Sequence, residues 1–132
     1  MNTNHKIEAI PLLDISDNII MVPMIGIIDS VISQQLMDDV LNDIKSKDVE
    51  VVIVDIKGIS SIDSAVASHL IKLTKATKLM GCESILSGIS SEIAQTLVNL
   101  GVELGEITTT STLKKALTKA FSMLGYELVR KK

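Results

Sequence analysis

Short runs of β-branched residues alternate along the chain with longer stretches whose apolar positions recur every three or four residues, the signatures of strands and amphipathic helices. Two runs open it, "IEAIPLL" at 7–13 and "NIIMVPMIG" at 18–26, separated by the polar "DISD". They predict two strands joined by a short turn as a hairpin. Pro23 has no N–H for a ladder, so the second strand is an edge strand or turns that position outward.

From Asp29, "DSVISQQLMDDVLNDIKSKD" places Ile32, Leu36, Val40, Leu41 and Ile44 at helical spacing, with Gln34, Gln35, Asp38, Asp39, Asn42 and Asp43 on the other arc. Asp29 and Ser30 both qualify as its N-cap. "EVVIVDI" at 50–56 is an unbroken apolar run, the pattern of a strand covered on both faces. A helix over 64–80 follows, with Val66, Leu70, Leu73 and Met80 on one face, Ser68, Lys72, Lys75 and Lys78 on another, and Gly81 closing it. The rest reads as a strand in "CESILSG", a helix in "SEIAQTLVNLG", a short strand in "EITT" and a final helix in "STLKKALTKAFSML" closed by Gly125. Ile93, Ala94, Leu97, Val98 and Leu100 form the predicted buried arc of the third helix, opposite Gln95 and Asn99, with Thr96 on the flank. The order ββαβαβαβα predicts an α/β fold: a mixed, mostly parallel sheet with an opening hairpin, right-handed crossovers and four helices.

Composition narrows the function. At 132 residues the chain has the size of one domain, 1–132, with an ordered core over about 10–125 and freer ends. Aromatics are 2%, so the core is aliphatic and base-stacking surfaces are absent; with a net charge of −3 and one basic cluster, the terminal "RKK", nucleic acid is not an expected partner. The single cysteine, Cys82, falls at a buried strand and reads as inert packing; one thiol excludes an internal disulfide and fits a reducing cytoplasm. The longest apolar run, "IIMVPMIGII", is ten residues and contains Pro23 and Gly26, too short and broken to cross a bilayer, so no membrane partner is expected. The start "MNTNHKIEAI" lacks a charged segment followed by an apolar core, so no secretory signal is read.

Catalytic groups are scarce. His5 and His69 are the only histidines, no metal cluster is visible, and no glycine loop cradles a phosphate, so neither metal nor cofactor is expected. His69 reads as an ordinary surface histidine. Its five-residue offset from Ser64 sets the two apart on the helix, which argues against a nucleophile pair. Asp55 reads as a carboxylate capping backbone N–H groups of a neighbouring loop. What remains is hydroxyls at helix starts. Asp63 or Ser64 caps the 64–80 helix, and a cap lies exposed enough to be modified. A phosphate on Ser64 would meet the free N–H groups of a helix N-terminus beside Asp63. Thr96 is a second reachable hydroxyl.

"IVDIKGISSIDSAVASHLI" and "ATKLMGCESILSGISSEIAQTLVNLGVEL" resemble STAS domains, with the nearer likeness to RsbR-type stressosome scaffolds, in which "D-[ST]-x-V-A-x-H" and "I-A-Q-T-[LI]-V-N-L-G" recur. "MVPMIGIIDS" is similar to that family's "LPLIGxID[ST]", and the likeness covers about residues 10–125. The resemblance implies the STAS fold and a non-enzymatic anti-sigma-factor-antagonist type of protein. It implies self-association as a homodimer or larger assembly with other STAS scaffolds, and a switch serine/threonine kinase that is held and then released when it phosphorylates Ser64 and Thr96. The implied partner surface comprises Asp63, Ser64, Ser68, His69, Gln95 and Thr96. R-type scaffolds usually carry Thr at the first site, and Ser64 is more typical of the smaller S-type, so the subtype stays open. R-type scaffolds also bear an N-terminal sensory domain, so no sensing is assigned to these residues. Other readings stand beside this one: a stand-alone anti-sigma-factor antagonist, a constitutive interaction module of the same fold that is never phosphorylated, and a small nucleotide-binding protein or enzyme using a crevice near Asp55 and Ser64.

Overall fold

The computed structural model describes residues 10–101 and 107–131. The elements are β1 (Leu13–Ser16), β2 (Ile19–Gly26), α1 (Ser30–Ser46), β3 (Val51–Ile59), α2 (Ser64–Leu79), β4 (Glu83–Ser87), α3 (Ser91–Asn99), β5 (Thr108–Thr110) and α4 (Leu113–Met123), in the expected order. They build one five-stranded sheet ordered β1-β2-β3-β4-β5, with β1 antiparallel to β2 and the other pairs parallel.

Strand periodicity sorts the core into two layers. Ile20, Val22, Met24, Val52, Val54 and Leu86 point to the face covered by α1, α2 and α3, where Leu36, Val40, Val66, Leu70, Leu73, Ile93 and Leu97 meet them. Ile19, Val51, Ile53 and Ile85 point the other way and are covered by α4 through Ala116 and Ala120. Small residues at those two positions let α4 lie close to the sheet. Each helix starts at a side-chain cap: Asp29, Asp63, Ser90 and Thr112 accept from the backbone N–H three residues on. At the first helix, therefore, Asp29 and not Ser30 is the cap.

Several expectations are corrected. The first strand is the polar-alternating "LDIS" rather than "IEAIPLL"; Ile10, Pro11 and Leu12 lie outside it, and residues 7–9, like His5, lie outside the described residues. The hairpin turn is Asp17–Asn18, fastened by the Asn18 side-chain amide, which donates to Asp48 O at 2.9 Å. Of the two alternatives for Pro23 the edge strand is excluded, since β2 lies between β1 and β3; among the described residues β1 pairs with β2 only as far as Met21, short of Pro23. Met80 is the C-cap of α2 and exposed rather than part of its buried face. On α3 only Ile93 and Leu97 are buried, while Val98 is 71% exposed and Leu100 also faces out. A nine-residue helix lying on a sheet buries one i, i+4 stripe, not a wide arc. The last strand is Thr108–Thr110, and Glu106 lies outside the described residues.

Candidate functional site

The carboxyl end of β3 leads through Ser60–Asp63 into α2. Ser60 N–H donates to Gly26 O at 3.2 Å and Ile62 is buried, so the loop is fixed to the end of β2 before the helix begins. Asp63 is extended and its Oδ1 accepts from Val66 N–H at 2.8 Å. The cap is thus Asp63, and Ser64 is the first helical residue, exposed, its hydroxyl without a hydrogen-bond partner among the described residues. Ser68, one turn on, is exposed as well.

His69 departs from the expectation of an ordinary surface histidine. It is half-buried, and its Nδ1 lies 2.5 Å from the hydroxyl of Ser33 on α1, a residue only 2% exposed. Ser33 Oγ also lies 3.2 Å from Ser30 O, so this group stitches α2 to the first turn of α1. No sequence pattern pairs residues 36 apart; the available signal was a serine on the Leu36–Val40 stripe, where a buried hydroxyl needs a partner. Beside His69, Ser30, Val31, Gln34, Gln35, Asp38 and Asp39 line a shallow groove of about 590 Å³. Ile25 and Ile27, 75% and 82% exposed, flank Gly26, whose carbonyl holds the loop leading to Ser64.

Thr96 lies on α3, half-buried, its hydroxyl donating to Glu92 O at 3.0 Å, with Gln95 exposed beside it. α2 and α3 bury their apolar stripes in the same layer. Asp63, Ser64, Ser68 and His69 share two turns of one helix; Gln95 and Thr96 form a separate group on the other.

Among the described residues Asp55 accepts from no loop backbone N–H. It lies within β3, where its carboxylate accepts from the buried Ser87 hydroxyl at 2.8 Å. By strand alternation it shares the α4 face with Ile53, whereas α2 covers the opposite face, so Asp55 and Ser64 do not share a crevice. The thiol of Cys82 is buried and donates to Val49 O at 2.7 Å. Burial, with the carboxylates of Glu50, Glu83 and Asp48 nearby, pushes its pKa up to about 11. Among the described residues no group of three or more His, Cys, Asp or Glu is arranged to hold a metal ion, and no helix is long and apolar enough to cross a membrane.

The STAS domain family model matches residues 11–116, taking in the loop, Ser64 and Thr96. The chain belongs to the STAS-domain family. This STAS domain is 37% identical over 119 residues to RsbT co-antagonist protein RsbRA of Bacillus subtilis, matching 90% of this chain and 43% of that protein. It is 36% identical over 107 residues to RsbRD of the same organism, matching 81% of this chain and 38% of that protein. The chain thus spans about two fifths of the length of these curated relatives. Among solved structures, RsbS of Moorella thermoacetica superposes with a TM-score of 0.78 at 25% identity, covering 89% of this chain and 98% of that one. A chain of the stressosome, a signal integration and transduction hub, shares the fold with a TM-score of 0.72 at 24% identity, over 88% of this chain and 100% of that one.

Proposed function

We propose that this STAS domain is a non-catalytic regulatory element of a cytoplasmic stressosome-like assembly. It packs with other STAS domains, holds a switch serine/threonine kinase, and releases it when that kinase phosphorylates Ser64 and Thr96, passing the signal to a stress-response sigma factor or a related output. One observation carries the reading: Asp63 does the capping, which leaves Ser64 exposed at the mouth of a helix, its hydroxyl without a partner among the described residues. A phosphate there adds about −1.5 to −2 charges. The helix dipole favours that charge by about 0.3–1 kcal/mol, so the domain tolerates it. A partner that docks over Asp63 and Ser64 then meets about −2.5 to −3 charges instead of the −1 of Asp63 alone. The RsbR relatives named as co-antagonists of RsbT support a kinase of that type as the partner. Thr96 differs: its hydroxyl is engaged by Glu92 O, so its modification requires that bond to open, which suits a second and slower event.

The test is incubation with a switch kinase of this class and ATP, read by intact mass, together with titration calorimetry of the same pair. Wild type gains phosphate, Ser64→Ala loses one acceptor, and Ser64→Asp weakens kinase binding about tenfold or more, equivalent to about 1.4 kcal/mol. Unchanged affinity of Ser64→Asp, with no phosphate on wild type, would favour the constitutive module.

A further inference from the structure

Two helical faces of opposite charge lie on opposite sides of the sheet. The geometry points to a head-to-tail contact between copies of this chain in which α4 of one copy lies along the α1 groove of the next. The α1 groove presents the carboxylates of Asp38 and Asp39 and the amides of Gln34 and Gln35. Asp38 accepts from Gln34 Nε2 at 3.3 Å, and the ion pairs among the described residues are those of Lys47 with Asp14 and Asp43. Among those residues, then, neither groove aspartate is matched by a cation.

α4 is the converse. From Leu113 to Met123 it carries Lys114, Lys115 and Lys119 and no carboxylate, and these lysines border a shallow groove of about 720 Å³. Each face adds one exposed apolar residue, Val31 on the acidic side and Met123 on the basic side, which gives the contact something to bury. α2 also exposes lysines, Lys72, Lys75 and Lys78, in the same layer as α1, and among the described residues none of them is ion-paired with Asp38 or Asp39. The sheet stands between the α4 lysines and α1 of the same copy. Because the two faces differ, the contact is heterologous and leaves one free face of each kind on a pair, so growth continues until a ring closes. The inference rests on the proposed function's premise of assembly among STAS domains, and its groove borders His69 of the implied kinase surface. No kinase enters its test, so either can fail alone.

Sedimentation velocity of the full chain tests it. At about 50 mM salt, species beyond a dimer form with rising concentration, and at about 500 mM the association constant falls about tenfold or more, because the Debye length shrinks to a few ångströms. Lys114→Glu/Lys115→Glu/Lys119→Glu and Asp38→Lys/Asp39→Lys are each monomeric alone, since each carries two faces of one sign. Mixed, they associate again, because the acidic α1 of the first meets the basic α4 of the second. Circular dichroism confirms that both are folded, and alanine in place of the reversed charges serves where one is not. The proposal is overturned if wild type stays monomeric at low salt, if mixing restores nothing, or if reversing Lys72, Lys75 and Lys78 abolishes association while reversing the α4 lysines does not.

Discussion

Removing the cap of α2 separates its structural role from any signalling role of the residue after it. In Asp63→Ala the Val66 N–H loses its 2.8 Å acceptor, while the backbone bond from Ala67 N–H to Asp63 O at 3.0 Å remains. Loss of a side-chain cap costs about 1 kcal/mol, and loss of a carboxylate at a helix N-terminus adds a few tenths. With an unfolding entropy of about 2.1 cal/mol/K per residue over 132 residues, this lowers Tm by about 3–5 °C. Asp63→Asn keeps an acceptor oxygen and falls by about 1–2 °C from lost charge alone. Ser64→Ala removes a hydroxyl with no partner among the described residues and stays within about 0.5 kcal/mol of wild type. Differential scanning calorimetry on the three variants reads the ranking. A Ser64→Ala loss as large as that of Asp63→Ala would refute the division of labour, because the serine would then be holding the helix.

Three further outcomes are expected. Gly88 has φ +77, and a Cβ there would meet Lys57 Cβ at 2.6 Å and Asp55 Oδ1 at 2.7 Å; Gly88→Ala should destabilise by about 1–3 kcal/mol in urea melts, and a neutral result would mean that the β4–α3 turn relaxes freely. Ser33→Ala and His69→Ala should each cost about 1–3 kcal/mol and together less than their sum, since either change already breaks the same bond; additive losses in the double-mutant cycle would exclude coupling between them. Cys82 has its pKa raised from 9.0 to about 11, so the folded state keeps a proton that the unfolded chain releases. That contribution is fully present below pH 9.0 and is lost as pH rises towards about 11, so urea midpoints should fall more steeply there for wild type than for Cys82→Ala, and parallel slopes would reject the shift.

Local chemistry made most of the fold legible. Eight of the nine elements among the described residues follow from β-branched runs, apolar periodicity and cap residues, and the central strand was readable because Val51–Val54 is covered on both faces. The strand "LDIS" was not: a short edge strand has little apolar content, and the run before it contains Pro11. Val98 and Leu100 misled because apolarity states a preference for burial while a short helix has room for only one stripe. At the site, the Asp63–Ser64 pair was legible as a cap, but which residue did the capping depended on backbone geometry that both allow. The Ser33–His69 link was invisible, since it depends on how two helices sit side by side rather than on spacing within either.

The sheet reads across in the same sequence as the chain reads along. Every strand docks beside the one made just before it, so none has to wait for a distant segment or be threaded between two already in place. A ribosome can therefore deliver the protein strip by strip, each new strand pairing with the hydrogen-bonding rim left by the last. The Ser64 turn is laid down mid-synthesis, and α4, the one helix on its layer among the described residues, is the final panel fitted.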